Sequence, residues 1–201
     1  MSGEGASGQA SGSAALSALL TRRSVPAEYL SAPGPGAVQI ASAIDAALRA
    51  PDHGRVQPWR FRLVQGAARA VFGELLVTAT LAREPASAAT QLDKLRSRVH
   101  KAPLVIVASA LLRSHPKVPE SEQLLSAGAG VMNLLNAFHA QGFGAIWLTG
   151  PNAYDPAVAR ALGCADAERL LGFLYVGSVA PGLPSAPARP AQSGFVSDWR
   201  G

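Results

Sequence analysis

Between Arg49 and Trp59 the chain gathers an arginine, an aspartate, a histidine, a glutamine and a tryptophan into one loop, Arg49-Ala50-Pro51-Asp52-His53-Gly54-Arg55-Val56-Gln57-Pro58-Trp59. Polar groups under aromatic cover are the composition of a small-molecule site. Proline restricts the residue before it, so Pro51 and Pro58 bias Ala50 and Gln57 toward extended backbone, and the loop is expected to run extended and held. The competing reading is an ordinary helix-to-strand connection with a solvated His53 and a core Trp59. A second cluster, Arg22-Arg23-Ser24, follows a short amphipathic helix and precedes Pro26. Two guanidinium forks and a hydroxyl match the oxygens of a phosphate. Cations at a helix C-terminus are also favoured by the macrodipole with no ligand, and taken alone that explains the pair better.

Elements must position these groups. Apolar periodicity and turn residues predict helices over Pro35 to Arg49, Ala67 to Ala82, Ser87 to His100, Glu120 to Gln141 and Pro156 to Leu162. Trp59 to Gln65 alternates as a half-buried strand does, while Pro103 to Ala110, Phe143 to Leu148 and Leu171 to Val179 read as strands rich in apolar residues. Continuous apolar runs belong to strands covered on both faces, which puts Val105 and Tyr175 to Gly177 in central strands. The helix from Ser126 is small-residue-led and nearly all apolar, so it should be buried, with Gly142 as its left-handed cap. The expected fold class is α+β, a sandwich with a central mixed sheet flanked by helices.

With 201 residues and 48% hydrophobic content, one substantial core and one domain are expected. Residues 1–13 form a Gly/Ser-rich tail expected to be disordered, leaving a domain over 14–201 with an extended, proline-rich C-terminal arm from about residue 181. No apolar run spans a bilayer and no signal-peptide pattern is present, so a cytoplasmic location is the default expectation. The single Cys164 reads as a small hydrophobe without a catalytic role.

The net charge of +5 raises the question of anionic partners. Only Arg22 and Arg23 cluster, and no basic helix or aromatic platform for nucleic acid is visible, so an anionic small ligand suits the excess better. His53, His100, His115 and His139 lie far apart without metal-ligand spacing, so no metal site is expected. There is no Gly-x-Ser-x-Gly elbow to recruit Asp52 and His53 into a hydrolytic triad. Gly128-Ala-Gly130 lacks the third glycine and acidic residue of a dinucleotide fingerprint.

Taken jointly, Arg22-Arg23-Ser24, Arg49-Ala-Pro-Asp-His53, Gln57-Pro-Trp59, the Ser126-Ala-Gly128 helix, Gln141-Gly-Phe-Gly144 and Gly172-Phe-Leu-Tyr-Val-Gly177 resemble the FMN-dependent nitroreductase family, in its small YdjA-like branch. The blocks keep the family's order over about residues 15 to 180. The resemblance implies an intertwined homodimer with FMN in a cleft built by both subunits. It assigns Arg22, Arg23 and Ser24 to the phosphate and ribityl end, Trp147, Leu148 and Thr149 to the same subunit's flavin contacts, and Arg49 and His53 to contacts from the partner, with Gln57 also among the cofactor-binding residues. Ala137, Phe138, His139, Ala140, Gln141 and Gly142 match the branch's nicotinamide segment.

The implied activity is ping-pong transfer of reducing equivalents from NADH or NADPH, through FMN, to nitroaromatic or quinone acceptors. FMN carries that chemistry, so no side chain need act as acid or nucleophile. Many relatives place a basic residue shortly after the Arg-Arg-Ser block, where this chain has Val25-Pro26-Ala27-Glu28; Arg23, Arg49 and Arg200 are the candidates for stabilising reduced flavin. Acceptor choice is expected to lie in a lid-like region between about Val77 and Arg98. Two alternatives share the cleft: an FMN-binding protein for storage or sensing, and a flavin-dependent dehydrogenase of another substrate class.

Overall fold

A computed structural model describes residues 14–201, so the expected disordered tail at 1–13 lies outside the described residues. The helices are α1 (14–21), α2 (Ala37–Ala47), α3 (Ala68–Arg83), α4 (Ala89–Lys101), α5 (Glu120–Ala140) and α6 (Pro156–Ala161), and the strands β1 (Leu30–Ser31), β2 (Trp59–Gln65), β3 (Leu104–Leu111), β4 (Gly144–Leu148) and β5 (Glu168–Val179). Hydrogen bonding orders the sheet β1-β5-β3-β2, with β4 also on β5. Every pair is antiparallel, so the sheet is not mixed as expected. The direction of pairing depends on how the chain returns between strands, and apolar periodicity carries no information about it.

Because side chains alternate across a strand, β3 feeds two cores at once. Val105 and Val107 face one layer with Phe72, Leu76 and Val99 of α3 and α4, joined by Phe173 and Tyr175 of β5. Leu104, Ile106 and Ala108 face the other, with Ile40 and Ala43 of α2 and Val131, Leu134 and Phe138 of α5. Residues Leu104 to Ala108 have no exposed surface, as expected of a central strand. Each such aliphatic side chain contributes about 1.5–3 kcal/mol by leaving water. Small residues let α5 approach α2: a Cβ at Gly130 would stand 3.3 Å from the Ala47 carbonyl oxygen. Asn133 Nδ2 donates to the Ala46 carbonyl at 3.1 Å across the same seam.

The predicted lid between Val77 and Arg98 consists mainly of α3 and α4, with Val77 and Val99 buried in the core. The alternation read in β2 is incomplete: Phe61 is half-buried and Leu63 is 46% exposed. As an edge strand, β2 has only β3 beside it.

A partly buried ion pair links β2 to the first residue of β5. Arg62 on β2 donates to both carboxylate oxygens of Glu168, Ser109 on β3 donates to the same carboxylate, and the Ala165 N–H adds a bond of 3.3 Å. Burial alone would raise the Glu168 pKa, but the bonds from Arg62, Ser109 and Ala165 outweigh it and hold the carboxyl at about 2 against an ordinary 4.5. A depressed carboxylate pKa stabilises the fold above the unfolded value and loses that contribution as pH falls. Wild type is therefore expected to lose about 3 kcal/mol through this group between pH 4.5 and 2 in urea titrations. Glu168→Gln should be less stable at pH 7 and lose less across that window; an unchanged acid profile would contradict the assignment.

Candidate functional site

At one end of the molecule, α1 finishes beside the C-terminus of α5. The Thr21 hydroxyl donates to the Ser17 carbonyl at 2.7 Å, and its oxygen lies 3.1 Å from His139 Nε2. A hydroxyl has one proton, so Thr21 must accept from His139, which fixes the Nε2–H tautomer. Burial lowers the His139 pKa and the neighbouring Arg22 charge lowers it further, favouring the neutral ring. From there the chain turns along β4, where the Val25 N–H donates to the Ala145 carbonyl at 2.9 Å. Gly144 allows this approach, since a Cβ there would come within 2.9 Å of Leu30 and Val179 and 3.1 Å of Val25.

The far end of β4 presents Trp147, Leu148 and Thr149. Trp147 is 36% exposed, and its indole N–H donates to the Leu171 carbonyl at 2.8 Å. That carbonyl is available because β5 bulges: Ala108 pairs with Gly172 but Ser109 with Leu170, leaving Leu171 as an extra residue. Gly172 has φ +133°, and a Cβ on it would stand 2.6 Å from both Trp147 Nε1 and the Leu148 carbonyl oxygen. Only glycine holds this conformation beside the indole.

The C-terminal arm closes the other side. Arg23 Nη1 donates to the Pro184 carbonyl at 2.5 Å, and Arg189 Nη2 donates to the Arg22 carbonyl at 2.7 Å. A cleft of roughly 520 Å³ results, with Arg22, Arg23, Ser24, Tyr29, Pro184 and Arg189 among its walls. Among the described residues, no carboxylate forms an ion pair with any of its three arginines. Three guanidinium groups outnumber the one carboxylate on the cleft wall, Glu28, and with the Ser24 hydroxyl they are the donor set for a phosphate. Arg200, a sequence candidate for the flavin, stays outside with only Asp198 at 3.9 Å.

The loop that opened the sequence reading lies elsewhere and is not extended. Asp52 accepts from the Val56 and Gln57 N–H groups at 3.1 and 3.0 Å, winding His53–Arg55 into a short 3-10 turn. Gly54, Arg55 and Gln57 take φ values of +68°, +54° and +51°. The two Asp52 side-chain bonds override the bias from Pro58, and left-handed backbone at two non-glycine residues costs about 1–3 kcal/mol each. Trp59 enters the core while Arg49, His53 and Gln57 stay exposed. His53 Nδ1 lies 2.6 Å from Glu122 Oε2 in the first turn of α5.

The predicted site residues thus fall into two groups. Arg22, Arg23 and Ser24 stand near His139 and the start of β4, and Trp147, Leu148 and Thr149 lie at the far end of that strand. Of the nicotinamide segment, Phe138 is fully buried in the core, Gln141 donates from Nε2 to the Gln39 carbonyl at 3.2 Å, Ala137 and His139 are half-buried, and Ala140 and Gly142 are exposed. His53 lies at the opposite end of α5, beside Glu122, whereas Arg49 adjoins Ala50, which packs against Gly130 midway along that helix. Seventeen residues separate Glu122 from His139, roughly 25 Å at the helical rise. Sequence reasoning missed Thr21, Glu122 and Arg189; the position of Arg189 inside the extended Pro187-Ala-Arg-Pro190 stretch was the available signal.

The nitroreductase family model matches residues 19–178. A candidate NAD(P)H nitroreductase of Escherichia coli (strain K12), YdjA, is 39% identical over 164 residues, covering 82% of this chain and 87% of that protein. A counterpart in Haemophilus influenzae is 34% identical over 165 residues, covering 82% and 88%. Among solved structures, a nitroreductase-like protein from Bacillus cereus superposes with TM-score 0.81 at 20% identity over 93% of this chain and 96% of its own. The FMN-dependent nitroreductase NfnB from Mycobacterium smegmatis, solved with NADPH, gives 0.72 at 22% identity over 94% and 99%.

Proposed function

Since the chain belongs to the nitroreductase family, we propose that it is an FMN-dependent NAD(P)H oxidoreductase, working as a homodimer on nitroaromatic or quinone acceptors. The observation that carries this reading is the cluster of Arg22, Arg23 and Ser24, whose guanidinium groups form no ion pair among the described residues, joined to β4 by the Val25–Ala145 bond. A Desulfovibrio desulfuricans protein solved in complex with FMN and the FMN-dependent NfnB share the fold.

Bound FMN supplies the two-electron chemistry. Arg22, Arg23 and Ser24 would hold its phosphate, and Trp147 to Thr149 would border its ring system. The Trp147–Leu171 bond fixes the indole before any ligand arrives, so the wall is preorganised. His139, held as the Nε2–H tautomer by Thr21 and close to Arg22, lies in the segment assigned to the nicotinamide. The neutral ring adds no positive charge beside Arg22.

His53 is about 25 Å along α5 from the His139 end, and Arg49, next to Ala50 beside Gly130, is about half as far. A second copy would bring them to it, with each chain giving both halves to a pair of equivalent sites. Apolar side chains that the fold leaves uncovered support such a partner: Leu16, Leu19 and Leu20 on α1, and Phe195, Val196 and Trp199 on the arm, are all more than half exposed. Among the described residues no helix is long and apolar enough to cross a membrane.

Purified protein is expected to show flavin absorbance that NADH or NADPH bleaches without oxygen and that a quinone restores. One cleft serving donor and acceptor in turn should give parallel double-reciprocal lines. Protein that takes up no FMN would sink the cofactor assignment, and flavin that stays oxidised with either nicotinamide would indicate a binding protein instead.

A further inference from the structure

Next to the Arg22–Ser24 cleft lies a second groove of roughly 400 Å³, lined by Ala27, Glu28, Lys94, Ser97, Arg98 and Lys101. The two are neighbours, because Glu28 lines both. Lys94, Arg98 and Lys101 follow an i, i+4, i+7 spacing on α4 and share one face. Like charges at that spacing repel, so the arrangement costs stability unless something answers it. On the same helix Arg96 is answered by Glu74 and Asp93. Among the described residues, no carboxylate forms an ion pair with Lys94, Arg98 or Lys101. The α4 dipole favours Lys101 at the last turn but reaches neither Lys94 nor the middle of the helix.

We propose that this groove holds the adenosine 2′-phosphate of NADPH and makes the protein prefer NADPH to NADH. The inference rests on the oxidoreductase reading above and adds its donor specificity. Three cations and the Ser97 hydroxyl suit a phosphate monoester, which carries close to two negative charges and three acceptor oxygens. Dinucleotide sites in general tell the two cofactors apart by this means: an acid takes the ribose 2′-hydroxyl of NADH, whereas a basic side chain takes the 2′-phosphate. Here one carboxylate faces three cations, so the phosphate is favoured. Glu28 between the two cationic clusters would repel an anion at that point and accept from a ribose hydroxyl. That leaves the FMN phosphate at the Arg22–Ser24 end and the second phosphate at the α4 end.

The test uses the full chain loaded with FMN. Calorimetry should show adenosine 2′,5′-bisphosphate binding at least about tenfold more tightly than 5′-AMP. In the triple variant Lys94→Ala/Arg98→Ala/Lys101→Ala that preference should vanish, and the ratio of kcat/KM for NADPH over NADH should fall at least about 30-fold. The conservative variant Lys94→Arg/Lys101→Arg should keep both, and flavin absorbance with a thermal melt verifies that each variant is folded. Equal binding of the two nucleotides by wild type, or a preference that survives the triple substitution, would overturn the proposal. Failure of the oxidoreductase reading looks different, since neither nicotinamide would then bleach the flavin. Bisphosphate binding would still decide the groove in that case.

Discussion

Refolding a mixture of two inactive variants, Arg22→Ala/Ser24→Ala and Arg49→Ala/His53→Ala, is expected to restore about a quarter of wild-type activity. Random pairing makes about half of the dimers mixed, and in each of these one site collects both lesions while the other collects none. The expectation comes from α5. Its first turn holds His53 through Glu122 and its last turn holds Thr21 through His139, so the helix keeps His53 apart from the Arg22–Ser24 cluster within one chain. No rearrangement short of breaking α5 joins them, and Val131, Leu134 and Phe138 fix that helix in the core without exposed surface. Verified mixed dimers with no recovered activity would mean that the site lies within one chain.

The layered fold was legible because its signals are local. A continuous apolar run identified β3, small apolar residues identified α5, and Gly142 takes the predicted left-handed conformation at φ +86°. Strand direction was not legible, since β5 runs antiparallel to β3 and to β4 through connections whose path periodicity does not encode. The loop after α2 was misread for a related reason. Pro58 acts through sterics on one residue, whereas Asp52 acts through two hydrogen bonds on residues four and five positions ahead, and the stronger constraint sets the backbone. At the candidate site, residue types were readable at Arg22, Arg23 and Ser24. The recruitment of Arg189 was not, because it depends on the arm folding back across more than 160 residues of sequence.

Loss of FMN retention in Arg22→Ala/Ser24→Ala is the second large effect expected. Hydrogen bonds to a charged group contribute about 1.5–3 kcal/mol each, so removing a guanidinium and a hydroxyl from a phosphate should weaken FMN binding roughly 10²–10⁴-fold. Arg22 is half-buried and has no ion-pair partner among the described residues, so truncating it releases no buried carboxylate and need not unfold the chain. Arg200→Ala serves as the comparison, because that residue is 86% exposed beside Asp198 and borders no part of the cleft. It should retain FMN as wild type does. Dialysis against FMN-free buffer, followed by flavin absorbance per protein chain, separates the outcomes: equal retention in both variants would remove the phosphate from Arg22 and Ser24, and loss in Arg200→Ala alone would move it to the end of the arm.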